Sequence, residues 1–126
     1  MRPATWICLA VGGVAGTFAR YAMTGAIDRL AGPGFPFGTL AVNGLGCAVI
    51  GFLASTSGPR LPLSPDARLL LITGFCGAFT TFSAFVLDTT LLADGGHAWR
   101  AIANVAGSVI LGLLAFRAGA LLAARF

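Results

Sequence analysis

Apolar residues run through this chain in four long blocks, at about 4–27, 38–56, 67–93 and 98–123, interrupted mainly by small or singly placed polar side chains. Each block is near or above the roughly 20 residues a helix needs to cross the hydrocarbon core of a bilayer. The short alternating segments of a membrane β-barrel are not visible. Polar and turn-forming residues gather instead between the blocks. DRLAGPGFPFG, with Pro33 and Pro36, separates the first two; TSGPRLPLSPDAR separates the second and third, where Ser64, Pro65 and Asp66 suit the N-cap and first two positions of a helix. Asp94-Gly95-Gly96-His97 is a turn short enough to make the third and fourth spans antiparallel neighbours. The pattern predicts an all-α integral membrane protein with a single four-helix transmembrane domain over residues 1–126. The first block is too long and Gly-rich for a signal peptide and contains Arg20, so it reads as a retained helix.

Composition agrees with that solvent. The 126 residues are 57% hydrophobic and 10% charged, and the mean hydropathy is +0.91, outside the range of soluble domains on each count. The net charge of +4 rests wholly on Arg, but no basic stripe with interleaved aromatics accompanies it, which argues against nucleic acid. The Arg residues bear on topology instead. Arg2, Arg60, Arg68 and Arg125 fall on one side and Arg29 and Arg100 on the other, with Arg117 and Arg20 just inside spans. So small a bias permits insertion in both orientations, and two such chains can pair as an inverted dimer, the two-chain counterpart of inverted repeats. Four helices alone offer little interior for polar groups, which also favours an oligomer. Cys8, Cys47 and Cys76 lie singly within spans, without the paired spacing of a metal site. His97 belongs to a turn, and no nucleophile has a His or carboxylate partner at helical spacing, so an enzyme is not indicated.

Small residues mark close helix approaches: Gly12, Gly13 and Gly16 in the first span, Gly44, Gly46, Cys47 and Gly51 in the second, Ala103, Gly107 and Gly112 in the fourth. Polar residues inside the spans are more informative. Thr39 and Asn43 share one helical face, as do Asn104 and Ser108; an amide in hydrocarbon either bonds across a helix interface or lines a wet path.

The segment GFCGAFTTFSAF at 74–85 sets two Gly, two Thr and a Ser among four Phe in the middle of the third span. Gly74 and Gly77 weaken a helix, and Thr80, Thr81 and Ser83 suit the start of a new one, so the span is expected to break near 75–80. A break frees backbone groups at membrane depth, tolerated only inside protein or beside water. Carbonyls ending the first half-helix suit a small cation; amides starting the second suit an anion. Phe82 and Phe85, three apart, can turn positive ring edges toward an anion path.

GGVAGTFARY at 12–21, GTLAVNGLG at 38–46 and GFCGAFTTFSAF at 74–85 resemble the signature segments of the Fluc/CrcB fluoride channels, and the resemblance spans the chain from first to last helix. It implies a dual-topology, antiparallel homodimer of four-helix subunits in a bacterial inner membrane, with two fluoride pores and a central structural Na⁺. The implied Na⁺ ligands are the backbone carbonyls of Gly77 and Thr80 from both subunits. Phe82 and Phe85 become the ring-edge residues of the pore, Asn43 its amide, Ser108 a hydroxyl from the fourth span, and Thr39 and Ser83 part of a polar track. Arg20 is expected at a vestibule, drawing anions in. The chain departs from the family pattern at Asn104, where some members have Tyr, at Gly112, where a second hydroxyl occurs, and at Ala84, where the track often has Thr. The competing reading is a small proton-coupled transporter, which needs a membrane carboxylate; the chain has no Glu, and Asp88 is the one Asp well inside a span. A purely structural subunit is the third, in which the polar groups only join helices.

Overall fold

The structure, a computed structural model, describes residues 2–56 and 63–126. Arg60, one of the charges weighed for topology, lies outside the described residues. Four helical stretches are long and apolar enough to cross a membrane: Pro3–Ala31, Phe37–Ser55, Pro65–Asp94 and Ala98–Ala123. The first and second are α1 and α2 and are unbroken. The third is composite. It consists of a short α3 (Pro65–Arg68), a π-helical segment (Leu69–Cys76), a one-turn α4 (Gly77–Phe79) and, after two extended residues, α5 (Phe82–Asp94). The fourth span is α6 (Ala98–Ala123).

The expected start of the third span is present: the Ser64 hydroxyl accepts from Ala67 N–H at 3.1 Å, with Pro65 in the first turn. Arg2 reaches Asp66 at 2.6 Å, which sets the beginnings of α1 and of the third span at the same end of the molecule. At the other end Asp28 accepts from Gly38 N–H at 2.8 Å and ties the α1–α2 turn. The Asp94–His97 turn closes on α5, with Gly95 N–H on the Leu91 carbonyl at 3.0 Å and His97 N–H on Leu92 at 2.9 Å, and Gly96 supplies the positive φ of +79° that this turn requires. As expected from its length, the turn lays α6 back along α5.

Two parallel pairs carry most of the packing. The first and third spans meet where Gly12 and Gly16 of α1 face the π segment: a Cβ at Gly12 would strike the Leu70 carbonyl oxygen, and one at Gly16 the Phe75 carbonyl oxygen. A π coil is wider than an α coil, and it fits here because α1 offers it backbone rather than side chains. The second and fourth spans meet in a similar seam, where Gly51 lies against the Phe116 carbonyl and Gly119 against that of Ala48. Gly107 has open space around it, so the α6 seam runs through Gly112 and Gly119 rather than through Gly107 as the sequence pattern implied.

The core within the chain is thin. Val42, Asn104 and Cys76 are its largest fully buried side chains, while Phe18, Tyr21, Leu30, Trp99 and many other large apolar groups are exposed. Such a surface suits lipid or another protein surface, not water. Because the seams are backbone-to-backbone, they have no flexible side chain to yield. Gly12→Ala and Gly16→Ala are each expected to destabilise the protein by about 1–3 kcal/mol in thermal unfolding in detergent. Gly25→Ala, whose added methyl meets only the end of Arg29 at 3.7 Å, serves as the tolerated control.

Candidate functional site

The break in the third span falls at Thr80 and Thr81. Both have extended backbones (φ −81°, ψ 156° and φ −149°, ψ 120°), a conformation that β-branched residues favour. Gly77, by contrast, remains in the right-handed helical region, and Gly74 is buried against α1. The expected interruption is therefore real, but it sits at the end of the predicted window and is made by the threonines. Gly74 serves close packing, whereas a methyl at Gly77 would meet only the Ile72 carbonyl of its own span, at 3.9 Å.

Each backbone group released by the break can be followed. Thr80 N–H still reaches the Cys76 carbonyl at 3.0 Å. Thr81 N–H would close a helical turn on the Gly77 carbonyl, but it donates to Asn43 Oδ1 at 2.7 Å, and Asn43 Nδ2 donates back to the Thr81 carbonyl at 2.9 Å. Ala84 N–H would fall to the Thr80 carbonyl in a continuous helix; it donates to Thr81 Oγ1 at 3.2 Å, so Thr81 caps α5. The carbonyls of Gly77 and Thr80 thus lose their usual donors at membrane depth, and the positive end of α5 opens at the same point. Asn43 thus bonds across a helix interface. One of its two amide hydrogens remains outside that pair.

On α2, Thr39 lies one turn before Asn43, and its hydroxyl donates to Asp88 Oδ2 at 2.7 Å. Gly46, three residues after Asn43, is where the Thr80 methyl packs. Thr39, Asn43 and Gly46 therefore form the stripe of α2 on which the break and α5 rest. The four Phe residues divide at the break. Phe75 and Phe79 stack before it, 5.6 Å apart and inclined by 11°, with Phe79 buried. Phe82 and Phe85 follow it, also 5.6 Å apart but tilted by 43°, and Phe82 is 76% exposed on the surface of the chain. Ser83 is exposed beside them, its hydroxyl 3.4 Å from that of Thr81.

Arg20 lines a cavity of about 200 Å³ together with Tyr21, Thr24, Thr39 and Thr81. Its Nε is buried without a protein partner, a cationic donor set among hydroxyls. A larger cavity of about 780 Å³, bordered by Asp28, Arg29, Thr39, Asp88 and His97, opens toward the end of α5. Ser108 Oγ on α6 is likewise buried without a partner, and among the described residues no hydrogen bond joins its side chain to the others of the site. The structure brings together Asn43, Thr39, Ser83, Phe82, Phe85 and Arg20 around the break, with Ser108 apart. Thr81, absent from the residues singled out for the pore, is the hub of the arrangement; its place as a β-branched hydroxyl just before Phe82 was the available signal. Among the described residues no cluster of His, Cys, Asp or Glu is arranged for a metal ion.

Residues 7–120 match the family model described as CrcB-like protein, Camphor Resistance (CrcB). The chain belongs to this family. It is 43% identical over 123 residues to fluoride-specific ion channel FluC 1 of Bradyrhizobium diazoefficiens, covering 96% of this chain and 84% of that protein. It is 47% identical over 117 residues to fluoride-specific ion channel FluC of Chlorobaculum tepidum, covering 93% and 92%. A FluC of Rhizobium leguminosarum bv. trifolii is 48% identical over 113 residues, covering 90% of each. These CrcB relatives are named as ion channels, so the family is non-enzymatic, and with four spans the chain is a multi-pass membrane protein.

In this CrcB chain Asn43 holds the broken backbone by a paired donor and acceptor. Asn43→Ala is expected to speed hydrogen exchange at the Thr81 amide and to lower stability by about 2–3 kcal/mol, because a backbone N–H and C=O at membrane depth lose their partners together. Asn43→Asp, which keeps the acceptor for Thr81 N–H, should protect that amide better than Asn43→Ala.

Proposed function

We propose that the chain forms a fluoride-selective passive channel, and the observation that carries this reading is the capped break at Thr80–Thr81 with the Phe82–Phe85 pair beside it. Its CrcB relatives bear the name of that activity. Fluoride is small and strongly hydrated, so a path must replace its water with donors while holding it weakly enough to release it. The free amide hydrogen of Asn43, the hydroxyls of Ser83 and Ser108, and the positive edges of Phe82 and Phe85 supply such donors, while Thr39, whose hydroxyl hydrogen goes to Asp88, holds that carboxylate beside the track. The amides opening α5 add a fixed positive dipole end. Arg20, with its buried Nε, gathers anions before the narrow part. The unpartnered Ser108 hydroxyl fits a donor that serves a passing ion.

The finer architecture follows the same reading. Two copies in opposite orientation, each exposing Phe82, form an antiparallel homodimer with two pores. Its site is the inner membrane of a bacterium, where the potential drives out fluoride that entered as neutral HF. The carbonyls of Gly77 and Thr80, relieved of their helical donors, fit a hard monovalent cation, and Na⁺ at the dimer centre takes them from both subunits. The bound cation supplies positive charge that offsets the carbonyl dipoles.

In liposomes, the purified protein is expected to release fluoride rapidly while retaining chloride, regardless of an imposed pH gradient. Phe82→Ile should slow that release by about two orders of magnitude, the scale on which loss of an oriented contact is felt. Flux that follows the proton gradient and disappears in Asp88→Asn would instead point to a proton-coupled transporter. Exchange of Na⁺ for N-methyl-D-glucamine should lower the thermal stability reversibly, by about 2.7 kcal/mol if the original Na⁺ stood at a hundred times its dissociation constant.

A further inference from the structure

One hydrogen-bonded pair lies outside every residue assigned to the ion path, yet it reaches the helix that bears the rings. Asn104 of α6 is 1% exposed, and its Nδ2 donates to Thr89 Oγ1 of α5 at 2.9 Å. Thr89 Oγ1 in turn donates to the carbonyl of Phe85 at 2.7 Å. A hydroxyl that accepts one bond while donating another is polarised in both, so the chain from α6 ends on the backbone of a ring residue.

The position of this pair along α5 decides what it does. No residue of α5 is buried within the subunit, so the fit of side chains does not by itself fix how far the helix is rolled about its axis. Successive residues of a helix project about 100° apart. Asp88 takes its bond from Thr39 on α2, and Thr89 takes its bond from Asn104 on α6. A roll that would keep one bond carries the other away. With Asn43 holding Thr81 at the start of the helix, α5 is fixed in both height and roll. Side chains stand about 5–6 Å from a helix axis, so a roll of about 10° carries a ring roughly 1 Å sideways.

We propose that Asn104 and Thr89 are positioning residues for ion selectivity: acting through α5, they hold the edges of Phe82 and Phe85 at the spacing that distinguishes fluoride from larger anions. The proposal rests on the channel reading above. It gives a structural role to the amide that stands at 104, which serves the rings through α5.

The test is anion efflux from liposomes, scaled to folded protein, for the wild type, Thr89→Val, Asn104→Leu, the double variant and Thr89→Ser. Thr89→Val and Asn104→Leu are expected to slow fluoride release about tenfold and to raise the chloride-to-fluoride flux ratio several-fold, by the roughly 1 Å displacement of the rings. The double variant should be no worse than either single one, since both break the same link. Thr89→Ser, which keeps the hydroxyl, should retain the wild-type flux ratio. Should Thr89→Val give no folded protein, Thr89→Ala removes the same hydroxyl without putting a methyl in its place and carries the same expectation. Wild-type flux and flux ratio in the folded variants, with only the melting temperature lowered, would overturn the proposal and leave the pair a structural link. Absence of fluoride flux from the folded wild type would overturn the channel reading, and this proposal with it.

Discussion

Everything at the centre of this molecule depends on the paired hydrogen bonds between the Asn43 amide and the backbone of Thr81. A helix interrupted in hydrocarbon carries N–H and C=O groups that have no water to turn to, each at a cost of several kcal/mol. One primary amide, with its donor and acceptor side by side, satisfies an N–H and a C=O of the same residue. The interruption becomes a stable conformation, and the polar groups left over are the Gly77 and Thr80 carbonyls and the first amides of α5.

The rest of the structure is arranged so that this amide can reach its target. Gly46 lets the Thr80 methyl settle on α2 one turn from Asn43, and Gly12 and Gly16 let the π segment lie directly on α1. The close seams and the site are therefore one problem. Backbones that touch through glycine leave no slack, and α5, with no buried residue of its own, takes its placement from hydrogen bonds at Thr81, Asp88 and Thr89.

Much of this was legible in the sequence, for identifiable reasons. The four spans follow from apolar length, and their ends differ from the observed helices by a few residues, most at Ala31, where the first helix outruns its apolar block. The broken third span followed from Gly, Thr and Ser among Phe, but propensity favoured the glycines as the point of failure. In the folded chain Gly74 is held against α1 and Gly77 stays helical without such a contact, and the threonines, whose branched side chains accept an extended backbone, give way. The π segment left no trace in the pattern, since its residues Leu69–Cys76 are as apolar as any α-helical stretch. The link between Asn104 and Thr89 was equally hidden, because a buried amide on one helix does not declare its partner on another.

The order of the spans along the chain has a consequence for biogenesis. Asn43 precedes Thr81 by 38 residues, so α2 leaves the ribosome before the broken span does. The amide that completes the break is thus made ahead of the backbone that needs it. The Gly12–Gly16 seam, in contrast, waits through the whole of α2 for its mate. The nascent chain is spared a stage in which an interrupted helix enters lipid before its partner has been synthesised.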